Sequence, residues 1–373
     1  MNLSQEVSLM YKKLIALSAL GLAMSAQAQT NVIIYGTVDT GFVKETGSST
    51  RMDESAANLI GVRGSEELAN GIKATFQLER QFQLPDGTNK ETYSLDDSIS
   101  RALGNRGQTI DWTGAANVGL EGPWGWVRLG RVNEMSSEFF TELDPFLQAA
   151  TGSALAKYNL LRSEQLSNTV RYDSPNLSGF KLGATYSLGK NTNSDSIATG
   201  DIPMKNQGAD NDGYAISVKY DNGGVSALAN WSRLADSNDS SVWNLGGAYS
   251  FGPAKISLGY EKTHDKGWKL GSVKSGKRSS QDNWLLGLVY QLGAGRINAS
   301  FSYMDIDHSS KWNGSKDIKK YSLGYEHKLS KRTTLYGMVS WSDFENGQVA
   351  DFYRGSSADD SVTGVQVGIT HKF

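Results

Sequence analysis

Three glutamates, Glu134, Glu138 and Glu142, stand four residues apart near the middle of the chain. In a helix this spacing puts their carboxylates on one face, where like charges repel by about 0.2–0.5 kcal/mol per pair. Asp144 precedes Pro145, and because a residue before proline avoids the helical region, the helix is predicted to end there. Grouped acidic side chains favour cations. The pattern indicates either a cation-attracting stripe or an ordinary solvated helix face.

Other residues that could do chemistry do not form a recognisable site. No serine–histidine–acid set is suggested by the spacing of the histidines. Asp305, Asp307 and His308 are more typical of a polar strand end than of a metal site, since one histidine with carboxylates is unspecific. Gly293 and Gly295 precede a strand and are interpreted as a turn. We predict no enzyme activity, no cofactor and no metal site. The histidines are His264, His308, His327 and His371.

The elements that must position these residues are short segments of alternating apolar and polar residues, which are typical of β-strands. Phe180, Leu182, Ala184 and Tyr186 illustrate the apolar face of one such segment. The pattern predicts an all-β chain of sixteen strands. They lie near 31–44, 57–66, 71–82, 109–121, 126–132, 167–173, 180–188, 213–221, 224–234, 242–251, 254–263, 282–292, 296–307, 318–328, 333–343 and 362–373.

The connections between these segments fall into two length classes. Asn222 and Gly223 form a tight hairpin turn, and other short turns follow at 252–253, 293–295 and 330–331. Long polar stretches lie between them, such as 190–212, 264–281 and 345–360. Short turns on one rim and long loops on the other are typical of a β-barrel that crosses an outer membrane.

The beginning of the chain is interpreted as a signal peptide over residues 1–28. Lys12 and Lys13 precede an apolar run at 14–23, and Ala26 and Ala28 are small residues at the positions of a cleavage site. The basic region lies deep in the chain, so we expect Met10 to be the true start. Residues 29–373 are then predicted to form one transmembrane barrel domain.

The composition limits the possible classes of protein. Only 38 % of the residues are hydrophobic, as in a barrel where every second strand residue meets lipid. Cysteine is absent, so disulfide bonds contribute nothing to stability. The net charge is −2, and without a basic stripe we expect no nucleic acid partner.

The last segment of the chain alternates apolar and polar residues, as a strand of a membrane barrel does. Val365, Val367 and Ile369 share one face with the terminal Phe373, while Gln366 lies on the other face. An exported chain with such a final strand is predicted to be an outer-membrane β-barrel.

Several motifs, taken in order, are similar to those of the general porins of Gram-negative outer membranes, most closely the betaproteobacterial type. The resemblance implies a homotrimer of sixteen-stranded antiparallel transmembrane barrels, each with a water-filled pore, surrounded by outer-membrane lipid and lipopolysaccharide. It also implies that Phe373 is read by the barrel-assembly machinery. The motifs are I-Y-G-T-V-D (34–39), G-V-R-G-S-E-E-L (61–68), A-T-F-Q-L-E (74–79), V-G-L-E-G-P-W-G (118–125), R-L-G-R (128–131), V-R-Y-D-S-P-N-L-S-G-F (170–180), L-S-K-R-T-T-L-Y-G (329–337) and G-V-Q-V-G-I-T-H-K-F (364–373).

The resemblance also implies that the third long loop, residues 133–166, folds into the barrel and narrows the pore. The aromatic residues on this loop either line the opening or anchor the loop to the wall, and anchoring is the more usual role. Phe146 belongs to the same aromatic group. The loop residues expected at the constriction are Glu134, Glu138, Phe139, Phe140, Glu142 and Asp144.

On the facing wall, general porins carry a cluster of basic residues. Matching by motif puts four of these positions on Thr37, Leu59, Gly114 and Gln165, none of which is basic. Arg63 shares strand parity with Leu59 and is expected to face the lumen. Three further arginines lie close enough to replace the cluster, namely Arg101, Arg106 and Arg162. Trp112 is an aromatic residue whose predicted strand parity places it on the lumen side.

Three functions remain open at this stage. We expect a non-specific porin for passive diffusion of small hydrophilic solutes and ions, with a weak preference for cations. A solute-selective porin for a neutral or partly apolar molecule is the alternative. A structural or adhesive barrel would need a plugged lumen, which the small or polar inward residues Ser300, Ser302 and Ser322 do not favour.

Overall fold

The protein forms a closed barrel of sixteen antiparallel β-strands, in which each strand pairs with the next and the last pairs with the first. The computed structural model describes residues 30–88, 112–148, 150–158, 164–188, 212–235, 240–265, 268–270, 273–275, 279–307, 316–344 and 361–373. Among these residues, no helix has both the length and the apolar character needed to cross a membrane.

The strands, numbered in chain order, include three short ones outside the sixteen. The short strand β2 (Arg51–Asp53) pairs with β1 beside the barrel, and β13 (Trp268–Leu270) pairs with β14 (Val273–Ser275) as a separate hairpin. The sixteen are β1 (Thr30–Glu45), β3 (Leu59–Glu67), β4 (Lys73–Gln81), β5 (Ala116–Gly122), β6 (Gly125–Asn133), β7 (Gln165–Asp173), β8 (Phe180–Ser187), β9 (Gly213–Asn222), β10 (Val225–Arg233), β11 (Ser241–Phe251), β12 (Ala254–Asp265), β15 (Ser279–Leu292), β16 (Gly295–Asp307), β17 (Lys316–Lys328), β18 (Thr333–Phe344) and β19 (Ser361–Lys372).

The prediction of sixteen strands is confirmed, with one boundary in error. The fourth strand of the barrel was expected over 109–121, but β5 begins at Ala116. Residues 112–115 precede it in irregular backbone, although the Glu79 amide still donates to the Ala115 carbonyl at 2.7 Å. Residues 109–111, the predicted signal peptide at 1–28 and Met10 lie outside the described part of the chain.

Side chains alternate between the two faces of the barrel wall. On β15, Trp284, Leu286 and Leu288 are exposed on the outside, whereas Leu285 points inward and is buried. Strand pairing keeps the faces aligned, since inward Ser300 lies opposite Ser322 in the register of β16 and β17. The outer face is therefore an apolar belt, and the inner face is mostly polar.

The barrel closes where β1 meets β19, and we call this pairing the seam. The Gly36 amide donates to the Phe373 carbonyl at 3.0 Å, and the Phe373 amide donates back to Gly36 at 3.1 Å. A Cβ atom at Gly36 would lie 2.4 Å from the Phe373 ring, so only glycine leaves room for this aromatic residue.

A buried carboxylate lies on the inner side of the seam. Asp39 accepts hydrogen bonds from the Ser55 amide at 2.5 Å, from the Tyr336 hydroxyl at 3.0 Å and from the Thr370 hydroxyl. These donors come from β18, β19 and the connection after β2. The Asp39 carboxylate therefore joins both sides of the seam to the first long connection.

Candidate functional site

Residues 133–166 join β6 to β7, and of these the structure describes 133–148, 150–158 and 164–166. This segment contains the helix α1 (Met135–Leu143), which lies against the inner face of the barrel. The Ser257 hydroxyl of β12 donates to the Leu143 carbonyl at 2.6 Å. A Cβ atom on the inward Gly287 of β15 would lie 2.8 Å from Pro145. Inward residues of the wall thus hold the segment inside the lumen.

Glu134 caps the N-terminus of α1 and is not part of the helix. Its carboxylate accepts from the Ser137 amide at 2.9 Å and from the Ser136 hydroxyl, and it also accepts from Ser232 of β10 at 3.0 Å. A side-chain oxygen in this position satisfies amides that the first helical turn leaves free. Glu134 is completely buried, so it does not join an exposed acidic stripe as the sequence suggested.

One face of α1 is apolar and packs on the wall. Phe139, Phe140 and Leu143 are buried in one cluster with inward residues of three strands. These aromatic residues therefore anchor the helix and do not line the opening. The inward residues of the cluster are Leu228, Ala248 and Leu285.

After α1 the chain makes a tight turn around the buried carboxylate of Asp144. This carboxylate accepts from the amides of Phe146 at 2.9 Å, Ala154 at 2.8 Å and Gln148 at 3.2 Å. Burial raises the pKa of the Asp144 carboxyl, and these amide donors oppose the rise. The helix ends at Leu143, as the sequence predicted, but Asp144 holds the turn and does not face the pore.

Leu147 and Gln148 follow with left-handed backbone, at φ values of 54° and 61°. This conformation costs about 1–2 kcal/mol per residue when a Cβ atom is present. The Gln148 side-chain amide also donates to Asp144, at 3.2 Å. The Asp144 contacts thus stabilise a strained turn.

The rest of the segment contacts β16, β18 and β19. Phe146 is buried with Tyr336 and Met338, and the Thr151 amide donates to Gln366 at 2.9 Å. The Leu155 amide donates to Ser302 at 3.2 Å. The described residues of the segment therefore lie against the inner faces of β10–β12 and β15–β19, whose inward residues we call the covered wall.

The inward residues of β3–β9 form what we call the charged wall. Arg171 of β7 binds Glu138 of α1 at 2.7 Å and Asp173 at 3.0 Å. Arg128 of β6 also binds Asp173, and its guanidinium lies 3.8 Å from the centre of the Trp126 ring. Glu138 thus faces two arginines on neighbouring strands.

Glu142, the last acidic residue of α1, meets lysines of two strands. Lys219 of β9 binds the Glu142 carboxylate at 2.5 Å and Asp221 at 3.2 Å. Lys255 of β12 donates to the Glu142 backbone carbonyl at 3.0 Å. Cations at the C-terminus of a helix also interact favourably with its dipole. Both exposed acids of the helix are therefore paired with basic residues.

The residues expected on the pore wall include two motif-matched positions, Thr37 and Leu59, and the inward Arg63. Thr37 pairs in register with Lys372, and Leu59 pairs with Thr37 on the other side of β1. Arg63 lies on the inner face as expected, with its guanidinium 5.0 Å from the centre of the Tyr35 ring. Arg101, Arg106 and Arg162 lie outside the described residues.

The other expected wall residues are Trp112, Gly114 and Gln165. Trp112 and Gly114 precede β5, so strand parity cannot place them in the lumen. A Cβ atom at Gly114 would lie 2.6 Å from the Glu79 Cβ atom, which leaves no room for a basic side chain. Gln165, the first residue of β7, pairs in register with Asn133.

The basic residues that meet α1 were missed by the motif match. Arg128, Arg171 and Lys219 do not fall on the positions that the resemblance suggested. Alternation could have found Arg171, because its neighbours Val170 and Tyr172 are apolar and it must then point inward.

Comparison with known proteins agrees with the barrel. A family model described as Gram-negative porin matches residues 14–347. Outer membrane porin protein 32 of Delftia acidovorans is 30 % identical over 390 residues, covering 98 % of this chain and all of that protein. An outer membrane porin protein of Bordetella pertussis is 28 % identical over 419 residues, with the same coverage.

A solved structure, the anion-selective porin from Comamonas acidovorans, superposes with a TM-score of 0.72 at 25 % identity, covering 92 % of this chain and all of that one. Together with the family match over most of the sequence and the sixteen-stranded closed barrel, these relatives show that the chain belongs to the Gram-negative porins, which are outer-membrane channels and not enzymes.

Proposed function

We propose that this porin is a passive diffusion channel for small hydrophilic solutes and ions, in which the segment 133–166 narrows a water-filled lumen. The observation that carries the proposal is the contrast between the two walls. The segment packs on the covered wall, whereas the charged wall keeps ionised groups such as Arg63 and Lys181 exposed. Exposed charges of this kind need water, because burial of an unpaired charge is very costly.

The preference between cations and anions follows from how the acids are paired. Glu138 and Glu142 each bind a basic residue of the wall, and Glu134 and Asp144 are buried. Arg63 and Lys181 form no ion pair within the described part of the chain. The weak cation preference expected from the glutamates has no support in this arrangement. We therefore propose a weak preference for anions, which is the same sign of selectivity as that of the anion-selective Comamonas porin.

The solute-selective alternative loses its aromatic argument. Phe139, Phe140 and Phe146 were candidates for contact with apolar solutes, but all three are buried against the wall. The general diffusion function therefore remains the better supported one.

The proposed partners follow from membership of the family. We propose a homotrimer embedded in outer-membrane lipid and lipopolysaccharide, with the apolar belt of the barrel facing lipid or a neighbouring copy. Phe373 is proposed to be the residue that the barrel-assembly machinery recognises. Native mass spectrometry of the detergent-extracted protein measures the number of copies directly, and a monomeric mass would contradict the trimer.

The test of the channel is the zero-current potential of the purified protein in a planar bilayer under a tenfold KCl gradient. A small potential of the anion-selective sign is expected. A potential of the cation-selective sign would overturn the proposed anion preference and support the cation preference expected from the sequence. Folded, inserted protein that does not conduct would overturn the channel itself.

A further inference from the structure

A leucine stands exposed inside the barrel, in the turn that follows α1. Leu147 is 50 % exposed, although Leu143 and Phe146 beside it are buried. Pro145 lies against β15, and Phe146 lies against Tyr336 and Met338 of β18. Because Phe146 before it and Ala150 after it both pack against the inner wall, the exposed surface of Leu147 faces the remaining lumen.

The backbone at this leucine is strained, which makes the exposure more informative. Leu147 and Gln148 are both left-handed, a conformation that residues other than glycine, asparagine and aspartate rarely adopt. A strained residue with an exposed apolar side chain contributes little to stability, and strain of this kind is concentrated at functional sites. The turn is therefore a candidate for direct contact with solutes.

The buried side chain of Asp144 fixes the conformation of this turn. Its buried carboxylate accepts from three backbone amides and from the Gln148 side chain. Apolar packing of Leu143 before the turn and of Ala150 after it holds the turn on both sides. The backbone position of Leu147 is thus determined by the fold and does not depend on a solute.

We infer that Leu147 is a specificity-determining residue that contacts the apolar part of small solutes passing the constriction, and that Asp144 is the residue that positions it. The ligand class is small organic molecules with an apolar ring or chain. This inference rests on the proposed channel function. It gives the solute-selective alternative a different contact from the buried aromatic residues.

The test compares benzoate with quinate in the full-length protein in planar bilayers. Both are six-membered-ring carboxylates with one negative charge, so charge selectivity cancels in their permeability ratio, measured from bi-ionic potentials. Leu147→Asn keeps the side-chain size and accepts the left-handed backbone, but removes the apolar contact. We expect the benzoate-to-quinate ratio to fall roughly threefold, the size of effect that loss of part of an apolar contact gives.

The matched control is Leu177→Asn. Leu177 is also 50 % exposed, but it lies in the turn between β7 and β8 at the opposite end of the barrel from the long loops. This variant is expected to keep the wild-type ratio. A ratio that is unchanged in Leu147→Asn, or that falls equally in Leu177→Asn, overturns the inference.

Asp144→Asn tests the positioning role with a nearly isosteric change. Its amide group cannot accept all the hydrogen bonds of the carboxylate, so the turn is expected to loosen and the ratio to fall as in Leu147→Asn. An unchanged ratio overturns the role of Asp144. KCl conductance, measured first in every variant, separates the two proposals: a wild-type protein that conducts no KCl contradicts the channel, whereas a conducting Leu147→Asn variant with an unchanged ratio contradicts only the leucine contact.

Discussion

The charged wall and the covered wall belong to the same sheet and follow the same alternation, yet the segment 133–166 buries far more of the apolar side chains on one than on the other. The charged wall carries Arg128, Arg171 and Lys219 with their acidic partners. The covered wall carries apolar residues such as Leu285, Met304 and Ile318, which are buried beneath the segment 133–166. The difference shows that an inward position in a barrel is not necessarily a wet one, because a loop inside the lumen can turn part of the wall into a protein core.

The covered wall also contains polar residues that water does not reach. Glu261 of β12 accepts from the side-chain amides of Asn244 and Asn283, each at 2.9 Å. Asn244 in turn accepts from Asn230 at 2.9 Å. This buried row pairs both carboxylate oxygens of Glu261 without solvent, whereas the side-chain oxygen of Asn230 is buried with no partner among the described residues.

The largest effect is expected from removing the anchor of α1. Phe140→Ala deletes a completely buried ring, and such changes typically cost 3–5 kcal/mol, here about 3 kcal/mol of the free energy that holds the segment on the covered wall. We expect faster proteolysis of the segment and noisier single-channel currents. Phe180→Ala, on the outer face, serves as the control. Quiet currents with unchanged proteolysis in Phe140→Ala would contradict the anchoring role.

The next effect concerns the ion pairs of the charged wall. Arg171→Gln leaves Glu138 and Asp173 with less compensating charge and is expected to cost about 1–3 kcal/mol. The zero-current potential in a KCl gradient should shift in the cation-selective direction, because uncompensated carboxylates then border the lumen. Adding Glu138→Gln should move the potential back toward the wild-type value. If the double variant stays as cation-selective as Arg171→Gln, Glu138 does not face the pathway of the ions.

A smaller effect is expected when a charge is removed from the covered wall. Glu261→Gln weakens two hydrogen bonds and should lower the free energy of unfolding by about 1 kcal/mol. Because this carboxylate is buried, the zero-current potential should remain at the wild-type value. Thermal unfolding in detergent and the bilayer potential measure the two quantities separately. A shift in potential without a change in unfolding would mean that the two walls do not differ as described.

The smallest effect is expected for an exposed lysine of the charged wall. Lys181→Gln removes a positive charge without breaking an ion pair of the described chain, so stability should change by less than about 0.5 kcal/mol. The potential should still shift slightly in the cation-selective direction. Lys331→Gln, in the turn between β17 and β18, is the control at the rim. Equal shifts in both variants would indicate a general surface-charge effect and not a property of the lumen.

The strands and the end of α1 could be predicted from the sequence because their causes are local. Alternation sets the strands, and Pro145 ends the helix through its own covalent geometry. The roles of Glu134 and Asp144 depended on their partners in the fold. Glu134 meets Ser232, which lies 98 residues away in the chain, and no spacing rule gives such a contact.

The lumen side was only partly predictable for the same reason. Ser300, Ser302 and Ser322 are small inward residues whose pattern favours a wet interior, but all three are buried, and Ser302 accepts a hydrogen bond from an amide of the segment. Small inward residues make room for a loop as readily as for water. The spacing of Glu138 and Glu142 places both on one face of α1, as the sequence predicts. Their effect on ion selectivity depends on Arg171 and Lys219, which come from β7 and β9.

The seam has a consequence for how the barrel folds. Its pairs join residues far apart in the chain, such as Thr37 with Lys372, and closing so long a loop costs entropy before any contact offsets it. Asp39 acquires its donors from Tyr336 and Thr370 only when β18 and β19 have arrived. An unclosed sheet would leave this carboxylate without two of its partners. Closure of the seam should therefore be the slow, late and highly cooperative step of folding, as expected for contacts of high sequence separation.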